Sequence, residues 1–442
     1  MKAGVIAAAI GFGVFVCYNA NGREIGSYDT QPARYTVYQL VAERTFNLDA
    51  IVARRPALGE RLGFATARDG HVRAAHSVVP ALLAWPPSEV MKAAGLVPLR
   101  RSNSAVFAKV SASLLVALAV VFVFVAARRR TSDAWAAMVA LGFGLGTSAW
   151  PMASQALWGH ESVLVGLSLA VMCLAPPEPR LPPWRLWLAA AGLGIAGAAR
   201  YQVTPAVMVL AVGLLARASR PRDALALLPI ALCATAAIGV NLAWFGHPLG
   251  AMAPLEAALH PRIHGVAGPL SAAPWKGAAG LLVSPSRGLL VFSPIVLVAA
   301  AGLGAAWREG WRSDVRWCLL AATAQFCAYA CYSVWWGGHT YGPRYLVDLL
   351  PLLVPLAAAG AAILQTRRVA RLVAGAALAW SIALAATGAF CYPAEAWNTD
   401  PVSVDLNHER LWDWRDPQFV RCWWRGPSPQ NFTLWPPAPA IH

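Results

Sequence analysis

Long apolar segments are the feature of this sequence that most limits its fold, although Pro and Gly interrupt several of them, as between Gly142 and Pro151 and around Pro294. Hydrophobic residues make up 58% of the 442 residues and charged residues only 13%, a balance typical of polytopic membrane proteins and not of soluble domains. A bilayer requires about 20 apolar residues per helix, and about eleven segments approach that length. They are 3–19, 105–127, 134–155, 162–176, 186–199, 203–216, 224–245, 289–307, 317–335, 346–364 and 370–390. The sequence therefore predicts an all-α polytopic membrane protein, a bundle of about eleven transmembrane helices.

Arginine clusters lie in alternate short connections between these segments. They fall within 128–130, 180–185, 217–222, 308–316 and 367–371. Basic residues concentrate in cytoplasmic loops, so the N-terminus is predicted to be cytoplasmic and the C-terminus periplasmic, in a bacterial inner membrane. The first segment is expected to be an uncleaved anchor, with a signal peptide as the alternative. Topology thus explains the net charge of +15, and no nucleic-acid partner is expected because no single basic domain is present.

Three segments on the predicted outer face are too long to be simple connections. The first, 20–104, contains amphipathic runs at 35–42 and 79–91 that are suited to interfacial helices. The second is 246–288, and the third is the polar, Trp-rich tail 391–442. Long loops on one face usually carry function, so residues 1–390 are predicted to form a transmembrane catalytic domain followed by a periplasmic tail.

The candidate functional residues lie in these outer segments. Asp29 follows the first apolar segment, where a carboxylate can act as general base on an acceptor that arrives from water. Arginine side chains bind phosphate in fork geometry and stabilise negative charge on a leaving phosphate. The predicted phosphate-binding residues are Arg200, Arg287 and Arg344. The predicted substrate-binding residues are His160, Glu161, Trp336, His339, Tyr341 and Tyr345.

Each of these residues also has a purely structural interpretation. Asp29 can be a turn or helix-capping residue. The arginines can extend to lipid headgroups, and Arg344 can pair with Asp348 one helical turn later. His160 and Glu161 can simply lie at a helix end. Most of the 20 tryptophans are expected in the aromatic belts at the membrane boundary, although Trp336 adjoins a Gly-rich turn where a sugar could stack.

Several motifs, in order along the chain, resemble bacterial members of the C-type (GT-C) membrane glycosyltransferase superfamily. They are the acidic first loop at 27–30, the turn between 149–151 and 158–161, the string 284–290 and the string 336–345. The resemblance covers about residues 1–390. Relatives in that superfamily include lipid A aminoarabinose transferases, protein O-mannosyltransferases and arabinosyltransferases.

The resemblance implies a function as well as a fold. In such enzymes an aspartate in the first outer loop activates the acceptor, and a polyprenyl-phosphate sugar is the donor, with inversion at the anomeric carbon. Asp29 stands at that position, and the acceptor is a glycan, a lipid or a protein. Many relatives carry paired acidic residues there, whereas Thr30 follows Asp29, so no metal cofactor is expected. Relatives often carry a lysine near 73–80, and Arg73 or His76 would have to replace it here.

Other classes of function remain as alternatives. A transporter or flippase of a lipid-linked sugar would place ionisable groups near the membrane midplane and often shows two repeated halves, whereas the apolar segments here are almost free of charge. In a scaffold subunit, Asp29 and the arginines would have no common function. The eight cysteines include no CxxC pair, so metal binding is not expected, and Cys391 and Cys422 are able to pair in an oxidising compartment.

Overall fold

The structure is a computed structural model that describes residues 2–61, 63–175, 180–266, 268–271, 273–392 and 396–434, and 68% of the model is helical. The predicted tail therefore lies partly outside the described residues. In the described part, the α-helices are α1 (Lys2–Asn19), α2 (Gln31–Glu43), α3 (Asp49–Arg54), α4 (Pro56–Gly59), α5 (Val79–Ala93), α6 (Ser104–Ala127), α7 (Asp133–Leu145), α8 (His160–Leu174), α9 (Pro183–Ala199), α10 (Thr204–Ala216), α11 (Leu228–Phe245), α12 (Met252–His264), α13 (Pro274–Val283), α14 (Leu289–Phe292), α15 (Val298–Ala301), α16 (Leu303–Arg308), α17 (Asp314–Ala330), α18 (Leu350–Leu364), α19 (Arg368–Phe390) and α20 (Gln418–Arg425). The strands β1 (Phe64–Thr66) and β2 (Val72–Ala74) form one antiparallel hairpin.

Every predicted apolar segment contains helix, but two of them are interrupted. Segment 134–155 forms α7 and then, after a break, a short π-helix at Ala149–Ala153 that contains Pro151. Segment 289–307 is divided into α14, a 3-10 turn at Pro294–Leu297, α15 and α16. Proline has no amide hydrogen and breaks the helical hydrogen-bond pattern, which explains why these segments are not single helices.

Some of the predicted segments form helices that are long and apolar enough to cross a membrane, and others form shorter apolar helices. In the described ranges, four helices are long and apolar enough to cross a membrane: Arg101–Ala127, Pro221–Phe245, Tyr345–Leu364 and Arg368–Phe390. Five further apolar helices are shorter: Ala3–Asn19, Asp133–Leu145, His160–Leu174, Tyr201–Ala216 and Pro294–Arg308. The all-helical membrane class is thus supported, whereas the count of about eleven spans is not confirmed.

Helix α8 lies at the centre of the bundle. Nearly all of its side chains are buried, and it packs against α6, α9 and α18. By contrast, α11 has no buried residue and α19 has few, so these helices lie at the periphery. The centre of the bundle therefore positions His160 and Glu161, the first two residues of α8.

The arginine-rich connections meet at one end of the bundle. Arg130 forms ion pairs with Glu309, at 2.8 Å, and with Asp314. The amide of Leu181 donates to the carbonyl of Arg217 at 3.3 Å. These contacts join the connections in two pairs, and the charge of Arg217 acts on Asp314, which links the two pairs at one end of the bundle as alternating topology requires.

The long outer segments contain secondary structure of their own. The first contains α2 to α5, which include the two predicted amphipathic helices, as well as the β-hairpin. The second forms α12 and α13. The tail folds back onto the bundle, where a disulfide joins Cys391 to Cys422 with a Cα–Cα distance of 5.7 Å. The pairing that the sequence left open is therefore formed.

A buried polar network crosses the bundle below the first outer loop. Lys109, on α6, is completely buried, and its ammonium donates to Asn21 Oδ1 at 3.2 Å and to Gln155 Oε1. Asn21 Nδ2 also donates to Gln155 Oε1 and to the carbonyl of Ala389, both at 2.8 Å. The expectation of nearly charge-free apolar segments overlooked this lysine, whose side chain is hydrogen-bonded to two buried side-chain oxygens.

Close helix packing generates the first prediction. A Cβ atom on Gly192 of α9 would lie 2.3 Å from the carbonyl oxygen of Gly166 on α8, whereas a Cβ on Gly197 has no contact shorter than 3.7 Å. Gly192→Ala is therefore expected to destabilise the protein by about 1–3 kcal/mol through overpacking. Thermal unfolding of the purified protein measures this. Gly197→Ala, on the same helix, is the control and should melt at or slightly above the wild-type temperature, because alanine favours helix. Equal melting temperatures for both variants would contradict the packing described.

Candidate functional site

Asp29 lies in a tight turn between α1 and α2. The Ser27 carbonyl accepts hydrogen bonds from the amide and the hydroxyl of Thr30, at 3.2 and 3.0 Å. Gly26 is required, since a Cβ there would lie 2.3 Å from Thr30 Oγ1. Thr30, not Asp29, is the residue that precedes α2, so the helix-capping interpretation of Asp29 is wrong. The turn leaves the Asp29 carboxylate 38% exposed.

Arg344 is the direct partner of Asp29. Its Nη2 atom donates to Asp29 Oδ2 at 3.2 Å, and its Nη1 atom to the Gly337 carbonyl at 3.4 Å. The guanidinium lies over the ring of Trp158, 4.6 Å from the centroid, and the indole N–H of Trp158 donates to the carbonyl of Ile25 at 3.2 Å. The alternative in which Arg344 pairs with Asp348 is therefore not what the structure shows.

Asp348 instead forms a buried hub with three other residues. His160 Nδ1 lies 2.7 Å from Asp348 Oδ1, and Arg200 Nε lies 3.3 Å from Oδ2. The hydroxyl of Tyr329 also donates to Oδ2. Asp348 and His160 are completely buried, and Arg200 is 11% exposed. The hub joins the start of α8, the end of α9, α17 and the 3-10 turn at Tyr345–Leu349, and so fixes Arg200 at the outer end of the bundle.

The His160–Glu161 pair contributes to this framework. Glu161 Oε1 accepts from the amide of Gly159 at 3.2 Å and from the hydroxyl of Ser162 at 3.0 Å. Both His160 and Glu161 have no exposed surface. Within the described residues, His160 Nε2 and Glu161 Oε2 have no hydrogen-bond partner. Their predicted role in substrate binding remains untested, but in this structure they support Arg200 and the start of α8.

Positive charge surrounds Asp29. Desolvation opposes ionisation of this carboxyl, but Arg344, His76 and Arg200 together outweigh it and lower the pKa of Asp29. Desolvation lowers the pKa of His76, the charge of Asp29 opposes this shift, and Arg200 and Arg344 reinforce it. Asp29 is thus ionised at neutral pH. His76 acts on Asp29 electrostatically and lies in the stretch 73–80, where the resemblance implies a basic contact.

A second carboxylate lies on α12. Desolvation by neighbouring side chains and the charge of Asp29 raise the pKa of Glu256, while Arg344, Arg200 and His264 oppose the shift. The charge of Glu256 therefore belongs to the electrostatic surroundings of the Asp29–Arg344 pair.

Arg287 occupies a different place from Arg200 and Arg344. It is completely buried, and its guanidinium donates to the carbonyls of Trp336 and Gly338, at 3.0 and 3.2 Å. It also donates to the side-chain oxygens of Gln418 and Asn398, at 2.8 and 2.7 Å. With these donors committed to protein oxygens, the geometry gives no support to the expected phosphate contact of Arg287. Arg287 instead connects the turn Trp336-Gly337-Gly338, called here the Trp-Gly-Gly turn, to the tail.

Trp336 and His339 belong to the same junction. The indole N–H of Trp336 donates to Asp405 Oδ1 at 2.7 Å, and the His408 ring lies 4.3 Å from the Trp336 ring. His339 Nε2 lies 3.1 Å from Asp405 Oδ2. Since Trp336 is only 3% exposed, its ring is not available for stacking with a sugar as the sequence suggested.

The two tyrosines of the string 336–345 differ in position. Tyr341 is completely buried, and its hydroxyl donates to the carbonyl of Leu384 at 2.8 Å, so its role is packing and not substrate contact. Tyr345 is partly exposed, stacks on Tyr329 at 5.2 Å, and lies in the electrostatic environment of Arg344 and Arg200. Of the two, Tyr345 is the one that adjoins the Asp29–Arg344 pair.

The structure therefore pairs Asp29 with Arg344 and places Arg200 and Tyr345 in the electrostatic surroundings of this pair, whereas the side chains of Arg287, Trp336, His339 and Tyr341 are engaged by the tail or the neighbouring helices. Asp348 had been considered only as an alternative partner for Arg344. An acidic residue inside an apolar segment is itself a sign of function, and that signal could have identified it. Trp158 belongs to the turn 158–161 that carries part of the resemblance, but its contact with Arg344 was not predicted.

Comparisons with known proteins add no assignment: neither a scan against protein-family models nor a search of curated proteins found a match. In the described ranges, no group of three or more histidine, cysteine or acidic residues has the geometry to hold a metal ion.

The burial of Arg287 generates a prediction that separates its two interpretations. Arg287→Ala leaves the carbonyls of the Trp-Gly-Gly turn and the amide oxygens of the tail without their donor, so a stability loss of about 3–5 kcal/mol is expected. Thermal unfolding and limited proteolysis of the tail measure this. Arg262→Ala, on α12, serves as the control. Wild-type stability and tail protection in Arg287→Ala would show that Arg287 is not the structural connection described.

The cationic surroundings of Asp29 generate a prediction on pH. Because the folded pKa lies below the unfolded one, the Asp29–Arg344 pair stabilises the fold above the unfolded pKa, and this contribution is lost as pH falls through the folded pKa. Carbodiimide labels protonated carboxyls, and mass spectrometry of the peptide with Asp29 should show labelling only below the ordinary range for aspartate. Arg344→Ala should move the midpoint upward, and Arg344→Lys should largely preserve it. An unchanged midpoint in Arg344→Ala would disprove the pairing.

Proposed function

We propose that this protein is a membrane glycosyltransferase of the C-type superfamily, which transfers a hexose or pentose from a polyprenyl-phosphate donor to an acceptor hydroxyl with inversion. The acceptor is a glycan, lipid or protein. The observation that carries the proposal is the half-exposed Asp29 carboxylate, 3.2 Å from Arg344 and in the field of Arg200. One ionised acid beside two guanidiniums matches the needs of transfer from a sugar phosphate. The order of motifs that resembles this superfamily supports the same assignment.

In the proposed reaction the acceptor oxygen attacks the anomeric carbon while the bond from that carbon to the phosphate oxygen breaks. The acceptor proton passes to Asp29, and the polyprenyl phosphate departs with the bonding electron pair and one additional negative charge. Arg344 and Arg200 stabilise that charge. The chemistry needs no metal, because the guanidiniums neutralise the leaving group.

Arg344 has two anionic partners in this reaction. In the ligand-free arrangement it is engaged by Asp29, and an arriving donor phosphate competes for the same guanidinium. When the phosphate takes it, Asp29 loses part of the positive charge that lowers its pKa and becomes a stronger base. Donor binding and base activation are thereby linked through one residue.

The other predicted residues have supporting roles in this proposal. Arg287, Trp336 and His339 hold the turn that contains Gly337, whose carbonyl accepts from Arg344. His160 supports Arg200 through Asp348. A loss of activity in variants of these residues would therefore arise from misplacement of the two arginines.

We assign the protein to the bacterial inner membrane, with the arginine-rich end in the cytoplasm and Asp29 and the tail in the periplasm. Arg130, Arg217 and their neighbouring connections share one end of the bundle, as positively charged cytoplasmic loops do. The disulfide between Cys391 and Cys422 suits an oxidising compartment at the other end.

Asp29→Asn tests the proposal directly. The variant should fold and insert normally, yet lose transfer by at least about 10²-fold, the usual contribution of a general base. Release of polyprenyl phosphate from a panel of polyprenyl-phosphate hexoses and pentoses, with membrane extract as acceptor, measures transfer. Asp133→Asn, which changes an exposed acid at the arginine-rich end, should keep full activity. Full activity in Asp29→Asn would eliminate Asp29 as the base.

Transport of a lipid-linked sugar is the second candidate, and one observation favours it. Lys109 is an ionisable group completely buried within the helix bundle, and coupled transporters also bury ionisable groups between their helices. In proteoliposomes, a transporter would move a fluorescent polyprenyl-phosphate sugar between leaflets in Asp29→Asn but not in Lys109→Met. A transferase would form product in Lys109→Met but not in Asp29→Asn.

A further inference from the structure

Helix α20, in the tail, packs along the side of α19 and not on its end. The indole N–H of Trp423 donates to Thr387 Oγ1 at 3.0 Å, and the Trp423 and Trp380 rings are 6.1 Å apart. Phe419 also contacts Trp380, at 6.2 Å. With a rise of 1.5 Å per residue, Thr387 and Trp380 lie about 5 and about 15 Å before the end of α19. Side chains of α20 thus reach well below that end.

The surface of α19 beside this contact is apolar and uncovered. Only 22% of its most hydrophobic stretch is buried within the protein, and Val373 and Trp380, which lead up to the contact with α20, are 63% and 43% exposed. Between Leu372 and Phe390 the helix is about 28 Å long, close to the thickness of a bilayer core. Lipid is the environment that fits such a surface, so the part of α19 that α20 touches lies within the outer half of a membrane.

The charged side chains of α20 and its neighbours are paired with one another. Arg421 contacts Asp416 at 2.5 Å and Asp400 at 3.1 Å, and Arg425 lies 3.8 Å from Asp400. Phe419 and Trp423 face α19 instead. This division into an aromatic side and a charged side is the pattern of a helix that lies in the plane of a membrane interface.

Trp424 lies next to this contact and is 78% exposed, more than any other large hydrophobic residue in the described chain. An indole ring with both apolar and hydrogen-bonding parts is most stable at the headgroup boundary. The Cys391–Cys422 disulfide ties the preceding turn of α20 to the residue that follows α19. The position of Trp424 at the end of this membrane helix is therefore fixed covalently.

We infer that α20 is an interfacial helix, and that Trp424, with the outer edge of Trp423, contacts phospholipids at the boundary between headgroups and acyl chains. The partner is the bilayer itself, because the exposed aromatic surface continues the lipid-facing surface of α19. The inference does not depend on the proposed transferase activity.

Photocrosslinking of the full-length protein tests this inference. Benzoylphenylalanine replaces Trp424 in protein held in nanodiscs of phosphatidylethanolamine and phosphatidylglycerol, and mass spectrometry identifies phospholipid attached to the peptide. Position 372, on the exposed side of α19, is the lipid-facing control, and position 409, an exposed residue of the tail, is the water-facing control. Adduct yield at 424 should approach that at 372 and exceed that at 409 several-fold.

Two outcomes would overturn the inference. They are an adduct yield at 424 no higher than at 409, and crosslinking at 424 to a second copy of the chain in place of lipid. The Cys391–Cys422 disulfide, detected by mass after alkylation, verifies that each labelled tail has folded. A second measurement uses Trp424→Phe without any label. Brominated phospholipids should quench a smaller part of its tryptophan fluorescence than of the wild-type fluorescence, and equal quenching would also contradict lipid contact.

Discussion

The buried carboxylate of Asp348 is the interaction on which the arrangement at the outer end of the bundle depends. It accepts from His160 and Tyr329 and forms an ion pair with Arg200. A charge in a low-dielectric interior is tolerated only when opposite charge and hydrogen bonds surround it, and removing one partner typically costs about 3–5 kcal/mol. This requirement fixes the relative positions of the four helical elements that carry these residues. The position of Arg200 is fixed with them.

The second constraint is the turn that carries Arg344. Gly337 and Gly338 both have positive φ angles, of 74° and 70°, which place two consecutive carbonyls where arginines reach them. Arg287 donates to the Gly338 carbonyl and Arg344 to that of Gly337. The two arginines thus bind adjacent peptide groups of one turn, but one is enclosed by the tail while the other faces Asp29. Both residues are arginines, so the sequence predicts the same chemistry for both. Their surroundings differ because the tail covers Arg287 and not Arg344.

This difference shows what the sequence could and could not predict. Apolar periodicity identified where helices form, because burial of backbone groups in an apolar phase requires helix whatever the tertiary contacts. Proline and glycine also predicted the interruptions between Gly142 and Pro151 and around Pro294, whereas the hairpin of β1 and β2 was not predicted, although Asp69-Gly70 is a common turn signal and Gly70 has a φ of 85°. Asp29 and Arg344 form an ion pair and Arg200 acts on Asp29 electrostatically, while their roles in catalysis and phosphate binding stay predictions. Arg287 was expected with them because of the string 284–290 that contains it. That string does not reveal that the tail covers Arg287.

Trp158 illustrates the same limit at the scale of one side chain. Its ring supports the Arg344 guanidinium from below, and its N–H is held by the Ile25 carbonyl, four residues before Asp29. Both members of the Asp29–Arg344 pair are therefore positioned against one indole. A tryptophan near a membrane boundary is most simply explained as part of the aromatic belt, and nothing in the sequence separates that role from this one. The contact with Trp158 restrains the Arg344 guanidinium. The donor phosphate proposed to replace Asp29 could therefore bind Arg344 while the guanidinium stays on the ring, and only the carboxylate would have to move.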